Sequence, residues 1–236
     1  MGLFSSVGDF CSSVASGISS AVSSIGSALS SFATGVGTVI GGVIEALAPA
    51  AKGIGMFANA FLQGLGVIKP NEKVENIGDR ALQAAEAGIT IDKFDDFDEY
   101  MENLRNFELD SELSEKYPVT QKIVAGLGVG TVGVERKFDA EPGSLGSMWL
   151  LPMANPGYFT PERMQGLVSA GQLGGDVFAY LEKRLTGGEA RSIEKKLELD
   201  QDGNVLGATN RTELYEALEN AQDNWSDMMD KINKNQ

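Results

Sequence analysis

The sequence predicts a mainly α protein, in which a long N-terminal amphipathic helix rich in Ser, Gly and Ala precedes a small acidic helical domain. Three observations carry this. Large apolar residues recur at intervals of three and four through the first fifty positions: Phe4, Val7, Cys11, Val14, Ile18, Val22, Ile25, Leu29, Phe32, Val36, Ile40, Val43 and Leu47. At about 100° per residue they fall within roughly 40° of one line. Helix-start signals stand further on, where Thr160-Pro161-Glu162 pairs a hydroxyl cap with proline in the first turn and Asn210 is followed by Glu213 in a capping-box spacing. Charge is also unevenly placed. Before Lys69 only Asp9, Glu45 and Lys52 are charged, so of a net charge of -14 almost all lies beyond. Together these divide the chain into a helical region over residues 1–69 and an acidic, mostly helical domain over 70–236.

The register reads as one helix from about Leu3 to Leu47, stopped by Pro49. Its second face is hydroxylic, with Ser16, Ser20, Ser23 and Ser27 opposite the apolar line and Asp9 and Glu45 bracketing a run without charge from Phe10 to Ile44. Interior glycine costs about 1 kcal/mol relative to alanine and serine several tenths, so propensity opposes this helix and packing must supply its stability. Lipid or further copies of the chain are the partners such a stripe predicts. A disordered low-complexity tail would have no reason to keep the register. Gly37-x-x-x-Gly41 adds a spacing that lets helices approach closely.

Met1-Gly2-Leu3-Phe4-Ser5-Ser6 satisfies the pattern for N-myristoylation. After Pro49, the uncharged segment from Gly53 to Ile68 falls short of the roughly 20 residues that span a bilayer, and Asn59 and Gln63 weaken it further, so it reads as buried or interfacial. The N-terminus lacks the basic region of a secretory signal.

Composition excludes several chemistries. There is no histidine, which removes the commonest general base and metal ligand, and Cys11 is the only cysteine. No P-loop, metal cluster or nucleophile with a base in sequence reach is present, so the expectation is a protein that is not an enzyme and holds no cofactor. The acidic balance argues against sequence-specific nucleic-acid binding and against attraction to anionic headgroups.

Beyond residue 70 the elements follow in order. Asn71 caps a helix to about Ala87, ended by Gly88, and Asp92 starts another whose inner side is Phe94, Phe97, Tyr100, Met101 and Leu104. The acids from Asp92 to Glu102 follow helical spacing and read as a solvated face, not a cation site. Gly128-x-Gly130-x-x-Gly133 matches a dinucleotide fingerprint in spacing only, because Pro142 cuts the next helix short and no acid stands about 20 residues on; a flexible glycine-rich connector is the expectation. Met148 to Met153 forms an apolar knot that anchors a core, and helices over 161–170 and 176–185 come after it. Residues 197–206 read as a possible β-hairpin turning at Asp202-Gly203, since an EF-hand loop would need glycine at Val205 and glutamate at Arg211. The last helix carries a seam of Leu214, Leu218, Ala221, Trp225, Met228 and Ile232, which packs on the domain or on a second subunit.

Gly2-Leu3-Phe4 opening a glycine-rich amphipathic helix resembles viral fusion peptides and membrane-lytic peptides. The combination of a Gly/Ser/Ala-rich membrane-seeking N-terminus with a small soluble helical domain is similar to the internal virion proteins that phages eject to carry DNA across a host envelope, including the pilot proteins of small tailless phages. Myristoylated minor capsid proteins of eukaryotic viruses are similar in the same character. The resemblance covers about the first seventy residues. It implies a homo-oligomer located in the virion among other virion proteins, and in the host envelope on delivery. There Phe4, Val7, Val14, Ile18, Val22, Ile25, Leu29, Phe32, Val36 and Ile40 would face lipid or one another, and Asp9, Ser16, Ser20, Ser23, Ser27 and Glu45 a water-filled centre. A bacterial effector or translocator, with the N-terminal region as export and chaperone-binding segment, is the alternative.

Overall fold

The computed structural model describes residues 16–198, 200 and 204–234. These residues are mainly helical, and no strand forms among them. The first helix, α1, covers residues 16–25. It is followed by α2 (Ser30–Thr34), α3 (Val36–Ala46) and α4 (Ala48–Gly64), with Pro49 in the first turn of α4. Next come α5 (Val74–Glu86), α6 (Phe97–Asn106), α7 (Ser111–Lys116) and α8 (Val119–Lys137). Five further helices complete the order: α9 (Leu150–Ala154), α10 (Pro161–Ser169), α11 (Val177–Leu181), α12 (Gly187–Leu197) and α13 (Ala208–Lys234).

The single N-terminal helix expected from the register is broken in the described part. Gly26 is extended, Ser27–Leu29 forms a 3-10 turn, and Gly35 separates α2 from α3. A continuous helix would hold Ile18 and Gly41 about 35 Å apart. Instead the Ile18 side chain lies over Gly41, where a Cβ would come within 2.2 Å of its Cδ1. The chain folds back so that the stripe meets apolar surface, which a straight rod extending from the body would not give it. The Gly37-x-x-x-Gly41 spacing therefore serves contacts within the chain, Gly37 against Phe32 and Gly41 against Ile18.

The glycine-rich segment expected to be a flexible connector is the interior of α8, buried from Ile123 to Glu135. Glycine is unfavourable in a helix, and here close approach offsets that cost. A Cβ on Gly126 would lie 2.0 Å from the Val74 carbonyl oxygen, and one on Gly78 1.8 Å from that of Lys122, so α5 and α8 touch backbone to backbone. The other glycines receive side chains: Leu62 over Gly130, Phe97 and Val67 over Gly133, Leu29 and Phe32 over Gly128. Polar groups close the same junction. Asp79 binds Lys122 at 2.8 Å and the Ser114 hydroxyl at 2.8 Å, and Gln83 donates to Asp79 at 3.1 Å.

Smaller corrections have local causes. α5 begins at Val74 because Asn59 of α4 accepts its N–H at 2.8 Å, while Gln63 donates to the Glu72 carbonyl at 2.9 Å; the two amides that weaken a membrane segment are turn staples. α6 starts at Phe97, capped by Asp96, and Asp92 sits earlier in a 3-10 turn, Ile91–Lys93. α13 begins at Ala208, two residues before the expected cap. The possible hairpin forms no strand pair: Asp200 N–H to Asn204 O and Leu206 N–H to Glu198 O close a turn whose residues 201–203 lie outside the described ones. The Thr160 cap and Pro161 start of α10 stand as expected.

Trp149 is fully buried, donates Nε1–H to the Thr131 hydroxyl at 2.9 Å and meets Phe61 edge-on at 5.5 Å, joining the apolar knot to α4 and α8. The α13 seam lies on the same body, with Leu214, Leu218, Ala221, Trp225 and Ile232 buried and Met228 half-buried, against α3, α9 and α11. One core runs from Ile18 to Ile232. The change at about residue 70 is thus a change of charge, while apolar side chains from both sides of it share that core.

Candidate functional site

The N-terminal arm, α1 through α3, and the surface that holds it form the candidate site. Ile18, Val22, Ile25, Leu29, Phe32 and Ile40 are buried, and Val36 is half-buried against the core. Phe4, Val7, Asp9, Cys11 and Val14 lie outside the described residues. On the other side Ser16, Ser20, Ser27 and Glu45 are exposed and Ser23 is half-buried, so the described hydroxyl face looks largely to solvent.

The seat is built from glycine. Gly128 of α8 and Gly146 of a 3-10 turn (Gly146–Trp149) both present backbone to Phe32, and Gly17 of α1 lies against the Gln121 side chain. Glu135 braces the segment leading to Gly146. It is buried on α8 and accepts the N–H groups of Gly143 at 3.0 Å and Leu145 at 2.9 Å. Burial raises its pKa above the usual carboxylate value and outweighs the two N–H donors, which lower it.

A single carboxylate holds the first break. Asp92 accepts the N–H of Ser27 and, at 3.0 Å, that of Ala28, satisfying donors that the start of a helical turn leaves open. Glycine is required opposite it, since a Cβ on residue 26 would lie 2.5 Å from Asp92 Oδ2 and 2.6 Å from Ile91 Cγ2. The sequence places Asp92 among solvated acids, and nothing local distinguishes it, because its partners lie more than sixty residues earlier. A glycine in mid-stripe at position 26 is the one local hint of a break.

Three arm hydroxyls are spent on their own backbone: Ser24 to Ala21 O at 2.6 Å, Thr34 to Ser30 O at 2.9 Å and Thr38 to Ala33 O at 2.7 Å. This lowers the cost of moving them out of water. No single described helix is long and apolar enough to cross a membrane. Ser27–Thr34 with Val36–Ala46 passes that test jointly, bent by 51°. Core helices of soluble proteins have the same composition. Among the described residues no cluster of His, Cys, Asp or Glu could hold a metal ion. No protein family, curated protein or solved structure matches the chain.

Proposed function

We propose that this chain stows a membrane-active arm against its own body and deploys it at a bilayer, as a virion-associated protein that oligomerises through the arm and assists genome delivery across a host envelope. The observation that carries the reading is the arm itself: a striped segment without charge from Phe10 to Ile44, seated on glycine and held at its break by one carboxylate.

Energetics make the exchange feasible. Each large stripe residue gains about 1.5–3 kcal/mol by leaving water, and lipid tails are about as apolar as the protein interior. Moving the stripe from core to lipid is therefore close to neutral in the apolar term. Polar contacts such as the Asp92 clasp then decide when the arm leaves. Straightened, Ser27 to Ala46 would extend about 30 Å, the thickness of the hydrocarbon layer. In an assembly of several copies, Ser16, Ser20, Ser23, Ser27 and Glu45 would line the water-filled side. The body brings most of the net charge of -14, which keeps DNA phosphate from sticking and leaves no role for sequence-specific binding.

Vesicle flotation and dye release with the full chain test this. The expected result is slow release accompanied by protection of the arm from protease. A chain that stays in the aqueous fraction at every lipid composition, with no release, would mean that the stripe is core and nothing more.

A further inference from the structure

We infer that a cavity between α5 and α6 binds a phosphoryl group. The cavity is about 290 Å³ and is lined by Asn71, Glu72, Asn76, Arg80 and Arg105, with Met101 among its apolar walls. Arg105 is engaged: it forks onto Glu72 at 2.7 and 3.2 Å, and Glu72 also accepts the Lys69 N–H at 2.6 Å. Burial raises the Glu72 pKa, but the Arg105 hydrogen bond, the Lys69 N–H and the neighbouring positive charges outweigh it and leave the group below its usual value. Glu72 and Arg105 thus neutralise each other.

Arg80 is left over. Its Nε is buried without a hydrogen-bond partner, and among the described residues its guanidinium pairs with no carboxylate. A buried N–H without an acceptor costs about 1–3 kcal/mol, and in a chain of net charge -14 carboxylates are abundant. The Asn71 and Asn76 amides line the same cavity and likewise make no side-chain hydrogen bond to a described residue. Nε is closed to solvent, but the Arg80 terminal nitrogens are not, and with the two exposed amides at the rim of a concavity of this size they match a tetrahedral oxyanion: the two terminal nitrogens meet its oxygens on one side and the amides on the other. The body's net charge opposes a densely anionic surface, so recognition is of one phosphoryl group, either free as a phosphate monoester or on a lipid headgroup. Nothing in this site depends on the arm.

The experiment titrates the full chain with inorganic phosphate at constant ionic strength, followed by phosphorus NMR linewidth and by the melting temperature. In parallel, vesicles of phosphatidylcholine with and without phosphatidic acid are tested by flotation. Saturable phosphate binding that weakens at least tenfold in Arg80→Met assigns a free ligand. Binding only to phosphatidic acid vesicles, lost in Arg80→Met while association with pure phosphatidylcholine is kept, assigns a headgroup. Asn76→Asp, an exposed change at the mouth, should weaken either mode severalfold and serves if Arg80→Met fails to fold. Absence of both modes, or binding that neither substitution changes, overturns the inference.

Discussion

The Asp92 carboxylate accepts the N–H of Ala28 at 3.0 Å across 64 residues of chain, joining the acidic body to the first break in the arm. Ser27 donates to the same carboxylate. Removing the acceptor in Asp92→Ala leaves two turn donors open and should cost about 0.5–2 kcal/mol, the range measured for lost helix caps. The loss should be local: urea unfolding shifts modestly, while cleavage near residues 26–35 by a dilute protease accelerates several-fold. Unchanged cleavage there would show that the clasp does not hold the arm.

Backbone contact between α5 and α8 allows no side chain at Gly126. Gly126→Ala should destabilise by at least about 2 kcal/mol, because its Cβ meets a carbonyl oxygen that cannot move without shifting a helix. Gly53, in α4, has nothing within 4 Å of its Cβ position. There alanine should stabilise by about 0.5–1 kcal/mol through helix propensity alone. Chemical denaturation of both variants checks the pair, and opposite signs are the expected outcome.

Glu135 has a folded-state pKa above the ordinary carboxylate value of 4.5, with burial as the leading cause. A raised carboxylate pKa means that the folded chain binds this proton more tightly than the unfolded one. Stability from this group is therefore lost as pH rises from about 4.5 through the raised value. Glu135→Gln removes that dependence. The difference in unfolding free energy, wild type minus variant, should fall across this window, and a flat difference would place the group's ionisation outside the folding equilibrium.

A chain beginning at Asn71 lacks Leu29, Phe32, Phe61 and Leu62, which pack on Gly128, Gly130 and Trp149. On charge and capping signals alone such a fragment should fold by itself. The shared core reverses that expectation: the fragment should retain helical circular dichroism but melt without cooperativity. A sharp calorimetric transition would restore the two-part division.

Much of this fold was legible in residue patterns. The apolar stripe is buried or, at Val36 and Leu47, half-buried where it is described, the α13 seam is a contact face, and Thr160 and Gly88 punctuate helices as their chemistry dictates. The illegible part depends on contacts between distant segments. Gly126 to Gly133 reads as a breaker run until α5 is seen lying against it, although Ile123, Leu127, Thr131 and Val134, all buried, stand at intervals of four, four and three through it. Gly26 hints at a break, but the carboxylate that holds it belongs to Asp92, more than sixty residues on, and only the fold brings the two together. Arg80 resembles any surface arginine on α5 until its missing carboxylate is noticed.

The most direct measurement ties the arm down. A Cβ at position 26 would lie 3.0 Å from the Asp92 Cγ, so cysteines at 26 and 92 bring two sulfurs within bonding reach, with Ile91→Ala to remove the Cγ2 that this Cβ would otherwise meet at 2.6 Å and Cys11→Ser to leave a single pair. Dye release from vesicles is then recorded for the oxidised protein, with the crosslink verified by mass, and again after reduction. If the stowed arm is what enters the bilayer, the oxidised protein is inert and reduction restores release. Equal release from both forms would contradict deployment of the arm.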